Sequence, residues 1–326
     1  MHGIAAGMDT RTPTITAVVA AYNAEAWIAE TLSAILGQSR PPDEVVVVDD
    51  GSTDGTAAVL RRFADRVRIV TRENGGCPAA FNTAFAHATC DYVAMCGADD
   101  VWEPRKLEWH ARTLAEHPQV DVLFGDAQLF GLADGTYAKP PGEGVLDGRA
   151  LRDALYRENV ICAPSIVIRR NLFERLGPFV ERFGADDLEY WMRCLCSGAV
   201  FFYDPRVLLR YRRHESNLSS RLLWMAQCSH DVHRWYADDL EDAALVRDVL
   251  AEDHFKIGRY LIDEGRAVEA RAAFRSAVRQ RRSARALVWT LVLSLPEGPR
   301  RRAGDAFVRL SRSLGARRAA GEPTPS

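Results

Sequence analysis

The sequence predicts an α/β fold: a mostly parallel sheet flanked by helices, followed by an α-helical C-terminal region. Three observations carry this. Short valine-rich apolar runs alternate with helix-period segments over the first hundred residues. Each run ends in polar or acidic residues. Beyond about residue 220 the pattern turns helical and alanine-rich.

The elements follow in order. Residues 15–21 (ITAVVAA) read as a buried strand, and 24–37 as a helix with Trp27, Ile28, Leu32, Ile35 and Leu36 on one face. Residues 44–48 (EVVVV) are a second strand, closed by Asp49-Asp50-Gly51-Ser52. A helix follows through Leu60 and Phe63, with Thr53 or Asp54 as its N-cap. Residues 67–70 are a third strand, 78–88 a helix and 91–96 (DYVAMC) a fourth strand. Such alternation builds a parallel sheet with helices on both faces. Beyond it, strands are expected at 120–124, 165–168, 200–203 and 207–211, a loop at 131–148, and a helix from Asp186 or Asp187 to Cys196.

Of the 326 residues, 47% are hydrophobic and 26% charged, with a net charge of −2. Those values exclude a disordered or collagen-like chain, and the charge argues against a protein built to coat nucleic acid. The seven cysteines form no CxxC pair, so they read as reduced thiols of a cytoplasmic protein. Met1–Thr10 shows no signal-peptide pattern, and the apolar run 286–295 is too short to span a bilayer. The expected organisation is a flexible N-terminus at 1–12, an enzyme domain at 13–220, a helical extension at 221–320 and a disordered tail at 321–326.

In open parallel sheets, ligands bind beyond the carboxyl ends of the strands, where strand order reverses. Tyr22-Asn23, Asp49-Asp50 and Gly97-Ala98-Asp99-Asp100 all stand at such ends. Asp99 and Asp100 suit a hard divalent cation. They also suit the N-cap of a helix beginning at Trp102-Glu103-Pro104. The stretch Asp49–Thr56 presents three acids where one cap would serve, which points to a polar ligand. In Asp186-Asp187-Leu188-Glu189, one carboxylate at a helix opening suits a general base, and helix capping stands beside that reading. His214, in Tyr211-Arg212-Arg213-His214, suits a metal or a phosphate, or is an ordinary surface histidine.

Four segments recur in order: TAVVAAYNAE, VVVVDDGSTDGT, DYVAMCGADDVWEPRKLE and GADDLEYWMRC, followed by YRRH. Together they resemble the family 2 glycosyltransferases, over roughly residues 13–217. The resemblance implies a GT-A fold and inverting transfer from a nucleotide-sugar donor to a sugar or lipid-linked saccharide acceptor. The expected setting is cell-surface polysaccharide or glycolipid assembly, with Mg²⁺ or Mn²⁺ as cofactor. It places Tyr22 where an aromatic ring stacks on the nucleobase and Asp50 where an acid accepts a hydrogen bond from the base. Ala21, Asn23, Gly75, Gly76 and Ala98 join them in the donor site. Asp99 falls on the metal-binding acid of the Asp-x-Asp motif, Asp187 on the catalytic base and His214 on a histidine that reaches the metal or diphosphate. Three positions depart from the pattern. Gly97 stands for the first Asp of that motif, Ala20 for a frequent Pro, and Phe81 for the Arg of an Ala-Arg-Asn run. Gly97 and Phe81 motivate a rival reading, a catalytically impaired nucleotide-sugar-binding or scaffold protein acting through its helical tail.

In the C-terminal region, Ile257-Gly258, Gly265, Ala270, Phe274 and Ala277 match the spacing of one tetratricopeptide helical hairpin. Residues 271–320 hold 13 arginines against two acids, Glu297 and Asp305. Such a stretch suits peripheral contact with an anionic membrane on its inner face, with Leu287, Trp289 and Leu291 inserting shallowly. A solvated basic helix pair is the alternative.

Overall fold

The computed structural model describes residues 12–295 apart from positions 138, 183, 185 and 282. The expected flexible residues 1–11, the tail 321–326 and the arginine-rich stretch beyond residue 295 lie outside the described residues. The chain divides into two compact units, at Ser220 and Arg221.

The first unit opens with the alternation read from the sequence. β1 (Ile15–Ala21), α1 (Ile28–Leu36), β2 (Glu44–Asp49), α2 (Thr56–Leu60), β3 (Arg68–Thr71), α3 (Cys77–His87) and β4 (Tyr92–Gly97) follow one another. β1 lies between β2 and β4, parallel to both, and β3 adds to β2. The odd-numbered side chains of β1 share a core with Ile28, Leu32 and Ile35 of α1. α3 packs on β1 and β2 but contributes nothing to that core, so it covers the opposite face. The period of two along each strand separates the two layers.

The remaining elements widen the sheet. They are β5 (Val101–Trp102), α4 (Lys106–Glu116), β6 (Val122–Gly131), β7 (Gly135–Thr136), β8 (Gly144–Val145), α5 (Gly148–Arg157), β9 (Val167–Arg169), α6 (Arg170–Leu176), α7 (Asp186–Cys196) and β10 (Phe201–Arg213). The strand order is β3-β2-β1-β4-β9-β6-β10-β5, with β7 beside β6 and β8 beside β10. β9 runs antiparallel to both neighbours, so the sheet is mixed beyond β4.

Four local expectations change. The two closing strands are one long strand, β10, whose register shifts between Asp204 and Leu209. Pro205 lies in that irregular stretch, where a residue without an N–H is tolerated. The loop at 131–148 contains β7 and β8. The helix expected from Trp102 begins at Lys106 instead. Val101 and Trp102 pair with Arg210 and Leu209 of β10, so Asp99 and Asp100 form a turn between two strands rather than a helix cap. The helix after Asp49-Asp50 begins at Thr56, with Asp54 Oδ1 accepting the Thr56 N–H at 2.9 Å.

The second unit is helical: α8 (Leu222–Trp235), α9 (Ala243–Asp263), α10 (Ala267–Gln280) and α11 (Ala284–Val292). Gly265 turns α9 into α10 at a φ of 75°, which favours glycine. At Gly258 a Cβ would meet the Phe274 ring at 2.8 Å, so the missing side chain lets α10 approach α9. Phe274 stacks on Trp289 of α11 at 5.8 Å. Trp289 is therefore core, 4% exposed, and not a membrane-inserting residue, while Leu287 and Leu291 are exposed. Among the described residues, no helix is long and apolar enough to cross a membrane.

Candidate active site

The carboxyl ends of β1, β2 and β4 lie on one edge, because Ala21 pairs with Asp49 and Ala20 with Gly97. The chain turns just past β1 at Asn23, whose φ of 48° is uncommon for a side-chain-bearing residue but tolerated by asparagine. Its Oδ1 accepts the Thr53 N–H at 2.8 Å, and its own N–H donates to Ser52 Oγ at 3.0 Å. Ala24 donates to Thr56 Oγ1 and Glu25 to Asp54, tying the β1 and β2 ends together. Beside them Tyr22 is left 51% exposed, a free aromatic face at the edge.

This latch accounts for two of the three acids in the Asp49–Thr56 segment. Asp49 accepts the Ser52 N–H at 3.0 Å, and Asp54 accepts the Thr56 N–H at 2.9 Å just before α2, whose cap position is Gly55 rather than Thr53 or Asp54. Their excess is local bonding, so they no longer argue for a ligand. Asp50 differs. Its buried carboxylate accepts the Gly76 N–H at 2.8 Å and the Gly75 N–H at 3.1 Å, and pairs with Arg72 Nε at 3.2 Å. Asp50 thus shapes the glycine loop that leads into α3, and Gly76 takes a φ of 87° there.

The turn after β4 carries the second acidic pair. Asp100 is buried, and its Oδ1 accepts the Arg212 N–H of β10 at 3.0 Å. Asp99 Oδ2 lies 2.8 Å from His214 Nε2 and 3.1 Å from Asn217 Nδ2. Arg212 donates to the Asp99 carbonyl at 2.8 Å, and its guanidinium stacks on Trp27 at 4.6 Å and Phe130 at 4.4 Å. Trp27 in turn stacks on His214 at 5.3 Å. Thr31 Oγ1 lies 2.9 Å from both the Ala98 and Asp100 carbonyl oxygens, fixing the turn.

Gly97 has a physical role in this turn. A Cβ there would stand 2.8 Å from Asp99 Oδ1 and 2.8 Å from Asp100 Oδ2. Asp100 Oδ2 is buried without a hydrogen-bond partner among the described residues. Burial, then the neighbouring Asp99 charge, pushes the Asp100 carboxyl well above its usual range. No ready group of three His, Cys, Asp or Glu for a metal occurs among the described residues. Asp99 and His214, with Oδ2 and Nε2 2.8 Å apart, form a pair of donors, an oxygen and an imidazole, whose chemistry suits a hard cation.

Asp187 lies in the first turn of α7. Its Oδ1 accepts the Leu188 N–H at 2.8 Å and its Oδ2 accepts from Asn159 Nδ2 at 2.9 Å. Burial raises its carboxyl, and these hydrogen bonds oppose the rise. The neighbouring Asp186 accepts the Gly184 N–H at 3.1 Å, and burial pushes it up to about 6.

Cys77 is the first residue of α3. The residue is exposed. The enclosing protein, then the carboxylates of Asp186, Asp187, Asp99 and Asp50, push it up to about 12. Acids from the end of β2, the β4 turn and α7 thus all act on this one thiol. Sequence reasoning passed over Cys77 and Asn159. The position of Cys77 directly after Gly75-Gly76 was a usable signal for the first, while nothing local marks Asn159.

A sheet edge of this form, with an exposed aromatic ring and acids at the strand ends, suits a polar ligand such as a nucleotide. The model of "Glycosyl transferase family 2" matches residues 16–177. A "Putative glycosyltransferase EpsE" of Bacillus subtilis is 34% identical over 198 residues, 57% of this chain and 68% of that protein. The same organism's "Putative teichuronic acid biosynthesis glycosyltransferase TuaG" is 28% identical over 230 residues, 68% of this chain and 88% of that one. The chain belongs to glycosyltransferase family 2. Among solved structures, S. aureus TarS in complex with UDP-GlcNAc superposes with a TM-score of 0.63 at 19% identity, covering 96% of this chain and 93% of that one. The mannosyltransferase PcManGT of Pyrobaculum calidifontis, in complex with GDP-Man and Mn²⁺, gives 0.55 at 25% identity, covering 90% and 84%. The fold is of the GT-A type, followed by a helical region.

Proposed function

We propose that the protein is an inverting glycosyltransferase that moves a hexose from a nucleotide-diphosphate sugar to a hydroxyl of a saccharide or lipid-linked saccharide. The observation that carries this is the sheet edge where the ends of β1, β2 and β4 bring Tyr22, Asp50 and Asp99 together, with His214 Nε2 2.8 Å from Asp99 Oδ2. In this reading Tyr22 stacks on the base, and Asp50 with Gly75 and Gly76 shapes the nucleoside pocket, lined also by Ala21, Asn23 and Ala98. Asp187 removes the proton of the acceptor hydroxyl as its oxygen attacks the anomeric carbon. The bond from that carbon to the diphosphate oxygen breaks, and the nucleoside diphosphate leaves. Mg²⁺ or Mn²⁺ held at Asp99 and His214 would supply charge compensation for that leaving group. The complexes of the structural neighbours with UDP-GlcNAc and with GDP-Man and Mn²⁺ support the donor class and the cation.

A role in cell-surface polysaccharide assembly has its support in the likeness to TuaG. A cytoplasmic protein touching the inner membrane face is supported by the arginines of 271–320 and the exposed Leu287 and Leu291. The enzyme domain is read as 13–220 and the helical extension as 221–320, the latter tetratricopeptide-like in the α9–α10 hairpin closed over Gly258. The rival reading, an impaired enzyme, draws on Phe81, which packs beside Phe179 at 6.4 Å and offers no cation to a phosphate.

The deciding experiment is a screen of nucleotide sugars, beginning with UDP-GlcNAc and GDP-mannose, for metal-dependent hydrolysis in wild type and Asp187→Asn. The expected result is binding of the nucleoside diphosphate retained in the variant and turnover lower by about 10²–10⁴-fold. Wild-type turnover in Asp187→Asn would reject the base assignment. No turnover of any donor by wild type, with binding intact, would favour the rival.

A further inference from the structure

The loop between α5 and the single helical turn at 163–165 carries Asn159, and its side-chain amide has two fixed partners. Oδ1 accepts the Ile161 N–H at 3.1 Å, while Nδ2 donates to Asp187 Oδ2 at 2.9 Å. The Ile161 contact determines which way the amide faces. Turned over, it would set an N–H against an N–H and an oxygen against a carboxylate. The other Asp187 oxygen is held by the Leu188 N–H at 2.8 Å. Each carboxylate oxygen has two acceptor positions. One on each is thus held by protein, and one remains to take a proton.

The backbone that carries Asn159 is itself anchored. Cys162 accepts the Ser165 N–H at 2.8 Å and its Oγ at 2.7 Å. The Ser165 carbonyl accepts from Lys106 Nζ at 2.6 Å, inside the first unit's core. The chain is therefore pinned a few residues beyond Asn159, and the amide is aimed by its two partners.

We propose that Asn159 is a positioning residue for glycosyl transfer: its amide fixes the orientation of the Asp187 carboxylate and favours its ionised form, presenting it as the base. The inference rests on the reading of Asp187 as that base. Burial drives Asp187 toward the protonated form, in which it cannot accept a proton, and hydrogen bonds to the anion oppose this. The Leu188 N–H comes from the neighbouring residue in the chain. Asn159 is the contribution of a segment 28 residues away. The titratable groups that interact with this place are Asp186 beside it on α7, Cys77 at the start of α3, and Tyr137 and Cys162 from the surrounding segments.

The test reads the carboxylate directly. In protein carrying ¹³C-labelled aspartate, the Asp187 Cγ resonance is assigned by its loss in Asp187→Asn, and its titration requires neither donor nor acceptor. Asn159→Ala is expected to raise the midpoint by about one pH unit, a tenfold change in proton affinity. Asn159→Asp keeps the shape and the acceptor for Ile161 but sets a second carboxylate against the first, so its midpoint should rise further. In parallel, the acid limb of UDP-GlcNAc or GDP-mannose hydrolysis should move up by the same amount, with nucleoside-diphosphate affinity unchanged. A midpoint that stays at its wild-type value in both variants overturns the proposal. So does a midpoint that moves while the hydrolysis limb stays, because Asn159 would then hold Asp187 without consequence for the reaction. Failure of the underlying reading is seen separately, as hydrolysis that survives Asp187→Asn.

Discussion

Replacing Asp50 by alanine separates the two tasks that the site assigns to one carboxylate. The side chain is buried and holds the Gly75 and Gly76 N–H groups and the Arg72 guanidinium. An unsatisfied buried donor costs about 1–3 kcal/mol. Here Gly75 is exposed and Gly76 and Arg72 half-buried, so water can take over part of each contact. The low end of the range applies, and the three losses together come to about 2–3 kcal/mol. For a unit near 200 residues, each kcal/mol moves the melting temperature by about 2–4 °C, which gives a fall of about 5–10 °C. The loop into α3 also loses its anchor, so nucleoside-diphosphate binding should weaken along with stability. Tyr22→Ala provides the contrast. Its ring is half exposed, so melting should hold within about 2 °C, while loss of stacking, worth about 1–3 kcal/mol per base, weakens UDP binding about tenfold or more. Calorimetric melting and UDP titration of both variants decide the matter. If Asp50→Ala melts with wild type, the carboxylate does not hold the glycine loop. If both variants bind UDP unchanged, the nucleoside pocket lies elsewhere.

Asp99→Ala should abolish Mn²⁺ binding measured by paramagnetic resonance, and exhaustive chelation should stop hydrolysis; unchanged Mn²⁺ affinity would remove Asp99 from the cation site. Lys106 is fully buried, and burial pushes its amine down to about 7. Between that value and the unfolded 10.5 the unfolded chain binds more protons, so this group makes stability rise with pH across that window, by on the order of 4 kcal/mol. Lys106→Met should remove the rise, read as the difference between the two proteins' denaturation curves from pH 7 to 10; equal slopes would contradict it. The arginine-rich region should bind anionic vesicles reversibly and less as salt increases. The informative truncation falls after Leu295, because α11 supplies Trp289 to the helical core; equal binding to neutral and anionic vesicles would leave only a basic helical cap.

The local pattern was sufficient for the first four strands and the helices between them, since a strand's period of two and a helix's 3.6 are properties of neighbouring residues. It also singled out Tyr22, Asp50 and Asp99 as candidates, because a strand end that meets polar residues announces itself within a few positions, and the Asp186-Asp187 pair at a helix opening. What lay beyond it depended on pairings between distant segments. Trp102 reads as the start of a helix until β10, over 100 residues later, pairs with it and converts Asp99-Asp100 into a turn. Asp49 and Asp54 read as spare acids until Ser52 and Thr56 are seen to use them. Trp289 reads as a free apolar residue until Phe274 stacks on it. Gly97 reads as a lost acid, yet it leaves a gap between two carboxylate oxygens that a Cβ would fill. The contacts of Asp99 with His214, 115 residues away, and of Asp187 with Asn159 have no periodicity or spacing to reveal them. Each depends on where two chain segments meet after folding, and packing of the whole sheet decides that.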